Sequence, residues 1–354
     1  MHLFRNDYSE GAHPLVLDAL VRSNMEQTEG YTCDAHCARA EGLILDACGL
    51  TRDEADVRFV PGGTATNVIC LNGLLDRPYD AAVCTPDGHI NTHETGALEA
   101  TGHKVLATTD ADGFLTVDAV DAVVRGNAAF GNHMTRPAVL YVSDTTELAG
   151  VYTRAMLEEL SGYAHARGMK LFLDGARLGS ALTSSANDLT LPEVARLCDA
   201  FYIGGTKNGL LFGEAVVARD PQLRRDLPWL MKRHANLLAK GRLLGVQFEA
   251  AFEGGLYWEC ARNANEQAAR LRKGLVAQGW EEWAASFSNQ LFFEVPAREA
   301  QAMTDGLGCE VFFDHGATRV VRFVTSWATT AADVDEALAF TAGLRVRTEG
   351  GREA

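Results

Sequence analysis

Two short apolar runs constrain the fold of this chain more tightly than any other feature. Residues 171–173 (Leu-Phe-Leu) end on Asp174, and residues 200–203 (Ala-Phe-Tyr-Ile) lead into Gly204-Gly205-Thr206-Lys207, with a segment of helical pattern at 191–198 between them. Runs this short and this continuously apolar read as strands buried on both faces. Further runs at 57–60, 81–84, 104–108, 139–142 and 213–217 alternate with helical segments at 14–21, 35–48, 68–75 and 115–124. Strands separated by helices of this size predict an α/β fold, a mostly parallel sheet covered on both faces by helices.

In such a sheet chemistry gathers at the carboxyl ends of the strands, and both Asp174 and Lys207 fall there. Lys207 is the only charged residue of 201–213 and stands between Gly204-Gly205 and Gly209. Burial disfavours an ammonium, so a lysine in this setting becomes neutral and nucleophilic near neutral pH. The alternative is a lysine that snorkels from a strand end. The aspartate on a neighbouring strand end favours the first reading, because the pair is what pyridoxal phosphate (PLP) needs: a lysine for the aldehyde and a carboxylate that keeps the pyridine nitrogen protonated. Pro61-Gly62-Gly63-Thr64-Ala65-Thr66-Asn67 adds a phosphate cup, in which glycines admit a phosphate to the backbone, Thr64 offers a hydroxyl and the following helix offers unpaired N–H groups. The cup lacks a P-loop lysine, which disfavours ATP; alone, it is equally a glycine-rich turn with a threonine cap.

Asp174-Gly175-Ala176-Arg177, the run Gly204-Gly205-Thr206-Lys207-Asn208-Gly209 and the cup at 61–67 together resemble the threonine aldolase family, in the β-eliminating lyase branch of the fold-type I, aspartate aminotransferase-like PLP enzymes. The resemblance extends from Asn6-Asp7-Tyr8 to Arg322-Phe323-Val324-Thr325. It implies a large PLP-binding domain with a small C-terminal α+β domain, PLP as cofactor, and cleavage of L-threonine, L-allo-threonine or related β-hydroxy-α-amino acids to glycine and an aldehyde. It also implies a homo-oligomer, a dimer or a tetramer built as a dimer of dimers, with active sites between subunits.

Carried onto this sequence, the resemblance makes Lys207 the catalytic lysine and gives Asp174, Arg177, Gly62, Gly63, Thr64, Thr206 and His89 to the cofactor. His89 stacks on the ring and takes the β-hydroxyl proton, alone or through a water held with His133. Arg322, helped by Arg177, grips the substrate carboxylate. Asn6 or Ser9 faces the substrate from an N-terminal arm, where the family commonly has serine at the place of Asn6. Lys240 or Arg242 reaches the phosphate of a neighbouring subunit.

Plainer readings stand beside these. Arg322 lies in an apolar strand, where an unpaired charge is expensive, so its anion is either substrate or a structural carboxylate. His133 is equally a solvated loop histidine, and the basic island at 232–242 is a solvated helix face, an anion site or a subunit contact. His89 and His93 are four apart, but Ile90, Asn91 and Thr92 supply no glutamate of the metalloprotease kind between them,. Cys33-Asp34-Ala35-His36-Cys37 has no second ligand pair at matching spacing, so no metal is expected. Another fold-type I reaction (β-elimination, racemisation or transamination) is the nearest rival function, and a non-catalytic protein that binds a phosphorylated metabolite is the remote one.

Composition trims the remaining classes. The net charge of −15 argues against a nucleic-acid surface,. No apolar run approaches a membrane span, and the first residues lack the apolar core of a signal peptide. The eight cysteines are scattered through 354 residues and read as free thiols of a reducing compartment,. A cytoplasmic protein with a small-molecule substrate, and with neither nucleic acid nor membrane as partner, is expected. Its expected organisation is an arm at 1–13, a PLP-binding domain at 14–253, a small domain at 254–347 and a disordered tail at 348–354.

Overall fold

Seven of the apolar runs pair into one sheet: β1 (Asp56–Val60), β2 (Asp80–Cys84), β3 (Lys104–Ala107), β4 (Arg136–Ser143), β5 (Lys170–Asp174), β6 (Ala200–Gly204) and β7 (Glu214–Ala218). The computed structural model describes residues 2–109 and 113–350, and side chains as far as residue 345. The strand order is β1-β7-β6-β5-β4-β2-β3. Strands β2 to β6 are joined in parallel pairs, whereas β7 runs antiparallel to both β6 and β1. The turn at 205–213 is too short for the roughly dozen residues that a parallel crossover requires, so β7 must return beside β6 as a hairpin.

Strands β2, β6 and β7 are buried at every position, and alternation along each strand feeds two cores. Leu171, Leu173, Phe201 and Ile203 face one core with Ile44 and Leu157 of the helices Ala35–Cys48 and Arg154–Ala166. Tyr141, Phe172 and Tyr202 face the other with Ile69, Leu71, Leu223 and Leu227 of the helices Gly63–Leu74 and Pro221–Arg233. Each such side chain contributes about 1.5–3 kcal/mol by burial. The helix Gly63–Leu74 starts five residues ahead of the apolar segment at 68–75, because the amide of Thr66 already bonds the carbonyl of Gly62 at 3.0 Å. It lies between the sheet and Pro221–Arg233, so close that a Cβ on Gly73 would stand 2.5 Å from Leu223 Cδ1.

A second, antiparallel sheet follows: β8 (Glu281–Ala284), β9 (Gln290–Pro296), β10 (Glu310–Asp314) and β11 (Thr318–Val324), in the order β10-β11-β9-β8. The helices Leu256–Ala277, Ala297–Leu307 and Ala331–Gly350 cover it through Leu271, Leu275, Met303, Leu307, Val334 and Ala337. The N-terminal arm is held here as well: Phe4 is buried in this core, its amide bonds the Leu307 carbonyl at 2.8 Å, and its carbonyl accepts from Val324 N at 2.9 Å. Residues 348–350, expected in a disordered tail, belong to the last helix, which packs on the small sheet; residues 351–354 lie outside the described residues. No helix among the described residues is long and apolar enough to cross a membrane.

Candidate active site

Side chains two apart on a strand share a face, so Asp174 emerges on the side of Phe172, with Tyr141 placed beside Phe172 by the β4–β5 register. Tyr202 of β6 reaches the same face. Both phenols donate to the carboxylate, Tyr141 to Oδ2 at 2.6 Å and Tyr202 to Oδ1 at 2.5 Å. Asn67 Nδ2 adds a bond to Oδ2 at 2.9 Å, and the amide of Ala176 one to Oδ1 at 3.0 Å. Burial alone would raise this carboxyl; the His89 charge and the bonds from Tyr141, Tyr202 and Asn67 outweigh it and hold Asp174 below the usual carboxylate range,. Asp174 is thus a buried anion whose surroundings keep it ionised.

Lys207 projects from the β6–β7 turn. Burial, then the Arg177 charge, lower its ammonium against the pull of Asp7, Asp174 and Glu214. The turn is closed by Glu214, which accepts from Gly205 N at 3.0 Å and Thr206 Oγ1 at 2.7 Å, while Thr206 Oγ1 accepts from Gly213 N at 2.9 Å. Burial pushes Glu214 up to about 8. A Cβ on Gly204 would come within 2.3 Å of the Ala176 carbonyl oxygen, so only glycine lets the lysine-bearing turn pack against the loop after Asp174. Arg177 gives Nε and Nη2 to Asp7 at 2.7 and 3.0 Å, and Asp7 also accepts from Asn289 Nδ2 at 2.9 Å.

Lys207, Asp174, Arg177, Thr206 and His89 line a cavity of about 380 Å³ together with Gly62, Gly63 and Thr64. The last three open the helix Gly63–Leu74, whose unpaired amides and dipole favour an anion at that end,. A Cβ on Gly63 would meet Tyr202 Oη at 3.3 Å, so a side chain there would crowd the phenol that supports Asp174. A lysine with a lowered pKa, an ionised carboxylate and a helix N-terminus around one cavity fit a phosphorylated pyridine aldehyde.

His89 borders this cavity at the start of the helix His89–Thr92. Its Nδ1 lies 2.8 Å from Glu94 Oε1, its amide donates to Glu147 Oε1 at 3.0 Å, and its ring stacks on His93 with centroids 5.4 Å apart. Burial lowers its pKa, but the Glu94 hydrogen bond and the charges of Asp174 and Glu94 outweigh that and raise it above the ordinary imidazole value. Glu147, which also accepts from Ser143 Oγ at 2.7 Å, is itself raised by burial.

An outer cavity of about 510 Å³ continues from Lys207, His89, Arg177 and Tyr8 towards the small sheet. Its far wall carries Arg322 of β11 with Glu310 and Phe312 of β10. Arg322 Nη2 bonds Glu310 Oε2 at 2.5 Å and Nη1 approaches Gln290 Oε1 at 3.4 Å, while Nε is buried without a partner among the described residues. The arginine expected to grip a carboxylate therefore holds one already.

Five expected site residues do not join these cavities. His133 sits exposed in a short turn, Gly131–His133, ahead of β4, so the whole strand separates it from Ser143, which lines the inner cavity at the other end. Asn6 and Ser9 serve a local turn, in which Asn6 Oδ1 accepts from Tyr8 N at 3.0 Å and Ser9 Oγ at 2.9 Å; Tyr8 is the arm residue that lines both cavities. Arg242 spends its guanidinium on the carbonyls of Ser23, Asn24 and Glu26, at and just beyond the end of the helix Pro14–Ser23, at 2.8–3.0 Å. Lys240 is exposed and lines neither cavity. In the cysteine-rich segment, His36 is shared by Glu26 and Glu249, at 2.8 and 2.6 Å.

Sequence reasoning passed over Asp7, Asn67, Glu94, Tyr141, Tyr202 and Glu214. Strand parity carried a signal for the two tyrosines, since each falls on the Asp174 face; Glu94, buried in a polar loop five residues after His89, carried none.

A family model described as beta-eliminating lyase matches residues 8–306. A low specificity L-threonine aldolase of a Pseudomonas species is 28% identical over 341 residues, 94% of this chain and 95% of that protein. Its counterpart in Pseudomonas aeruginosa is 27% identical over the same shares. The structure of Leishmania major threonine aldolase superposes with a TM-score of 0.94 at 41% identity, covering 98% of this chain and 100% of that one. A Thermus thermophilus aspartate aminotransferase, at 17% identity and a TM-score of 0.70, shares the fold.

Proposed function

The chain belongs to the beta-eliminating lyase family, and from that premise we infer a PLP-dependent aldehyde-lyase of the threonine aldolase type, which splits L-threonine and related β-hydroxy-α-amino acids into glycine and an aldehyde. The observation that carries this reading is one cavity containing a lysine of lowered pKa, an ionised buried aspartate and a helix N-terminus, bordered by His89.

PLP, when bound, supplies the electron sink for the charge left at Cα as the Cα–Cβ bond breaks. Lys207 would hold the cofactor through its aldehyde. Asp174 would keep the ring nitrogen protonated, and the amides around Gly63 with Thr64 would take the phosphate charge. Thr206 keeps the lysine turn closed through Glu214. His89, with Nδ1 engaged by Glu94, accepts the β-hydroxyl proton at Nε2,. Arg322 takes the α-carboxylate in exchange for Glu310, and Arg177, fixed by Asp7, borders the same space.

L-Threonine should yield glycine and acetaldehyde in equal amounts without a keto acid. Release of 2-oxobutanoate and ammonia, or a requirement for a keto acid, would assign the scaffold to a sister reaction.

The same reading includes a homo-oligomer. Leu15, Leu17, Val21 and Leu211 are exposed, and Phe212 borders both the inner cavity and the apolar recess of Leu17, Leu20 and Val21. A second copy covering that recess would seal one side of the active site; with Arg242 spent on backbone carbonyls, Lys240 is the residue left for a neighbour's phosphate. An active monomer in light scattering at assay concentration would refute this. Eight free cysteines support a place in the reducing cytoplasm,.

A further inference from the structure

Behind His89 a buried polar chain runs through Glu94 and Asn67 to Asp174. Glu94 Oε1 accepts from two donors, His89 Nδ1 at 2.8 Å and Asn67 Nδ2 at 2.8 Å, and the same Asn67 nitrogen donates to Asp174 Oδ2 at 2.9 Å. Glu94, Asn67 and Asp174 are all buried, at 5%, 0% and 4% exposure. The orientation of the Asn67 amide follows from chemistry: a carbonyl oxygen turned towards two carboxylates would be repelled by both, whereas an NH₂ group bonds both. Glu94 Oε2 and Asn67 Oδ1 are buried without hydrogen-bond partners among the described residues, so the arrangement carries a desolvation cost that packing alone does not explain.

We propose that Glu94 is the positioning residue that makes His89 a base, and that Asn67 ties this pair to Asp174. The proposal rests on the aldolase reading. A carboxylate on Nδ1 fixes the tautomer, so that Nε2 is the nitrogen left to receive a proton, and it stabilises the imidazolium once the proton arrives. This is the role of the third member of a hydrolase triad. Asn67 gives two neighbouring carboxylates a shared donor, so that a displacement of either is felt by the other.

The other charges facing His89 set the sign of the effect. Asp174 and Glu147 favour the imidazolium, Lys207 opposes it, and His93 stacks on the ring. Asp87, Glu310 and Arg322 line the outer cavity, and Arg177 lines both. Without the Glu94 charge, burial and Lys207 are opposed by Asp174 and Glu147 alone, so His89 must titrate at lower pH.

Glu94→Gln isolates the charge, because Gln Oε1 accepts the same two hydrogen bonds. In the cofactor-free protein, NMR titration of the His89 imidazole should move down by about one pH unit or more. In the loaded enzyme, turnover should fall about 10²-fold, and the rise of kcat with pH should move down by the same interval. Glu94→Asp, which restores the charge at a shorter reach, should recover part of both. An imidazole titration that stays in place in folded Glu94→Gln and Glu94→Asp would overturn the proposal. A wild-type protein that releases no glycine from L-threonine would overturn the aldolase reading instead, while the imidazole titration still decides whether Glu94 governs His89.

Discussion

The inner and outer walls of the active-site cleft hold charges of comparable importance in opposite ways. Asp174, on the inner wall, is buried at the end of a fully covered strand and receives four hydrogen bonds from β4, β6, the helix Gly63–Leu74 and its own loop. Arg322, on the outer wall, lies on the small sheet and is paired with a Glu310 whose side chain is 43% exposed, while its Nε has no partner among the described residues. A charge with four hydrogen bonds is fixed before anything binds, which suits the cofactor role proposed for it. A guanidinium with a spare donor and a solvated partner can exchange one carboxylate for another, as a substrate that comes and goes requires.

Substitutions on the two walls should therefore fail differently. The largest effect is expected for Asp174→Asn, which keeps the shape but removes the buried anion: turnover should fall by about 10²–10³-fold while the cofactor absorption band persists. Near-normal turnover would show that the inner wall is not fixed by this charge. Arg322→Lys should come next. It replaces a planar fork with a point charge, and kcat/KM for L-threonine should drop by roughly 10- to 100-fold, chiefly through KM. A drop confined to kcat would place Arg322 on the chemistry and erase the distinction between the walls. The smallest effect sharpens the comparison most. Glu310→Gln should lower KM by at most about 5-fold, the worth of a partly exposed ion pair, with kcat unchanged. A KM that rises would make Glu310 an orienting partner of Arg322 instead of a carboxylate that substrate displaces.

Much of the inner wall was legible in the sequence because it is local. A short apolar run bounded by polar or glycine residues reads as a buried strand, the residue after it lies at the carboxyl edge, and a glycine pair before a lysine marks a turn that packs backbone against backbone. Asp174, Lys207, Gly62, Gly63 and Thr64 all come from such short-range rules, and all line the same cavity. The extension of the last helix through residues 348–350 was missed because a polar, glycine-containing tail gives no local signal for a helix that packs on a sheet elsewhere in the chain.

The amino-acid sequence by itself determined the strand and helix alternation, the parallel sheet and the side of it on which chemistry occurs, since each follows from apolar periodicity and chain connectivity. Only the tertiary structure decided which polar groups meet. Asp7 finds Arg177, Asn67 bridges Glu94 and Asp174, and Glu310 occupies Arg322 across gaps of 170, 27, 107 and 12 residues. His133 precedes β4 and Ser143 ends it, yet only Ser143 reaches the cavity. The reason is physical: hydrophobic burial is set residue by residue along the chain, whereas a hydrogen bond or ion pair depends on distance and direction, which exist only after the strands have taken their order and register.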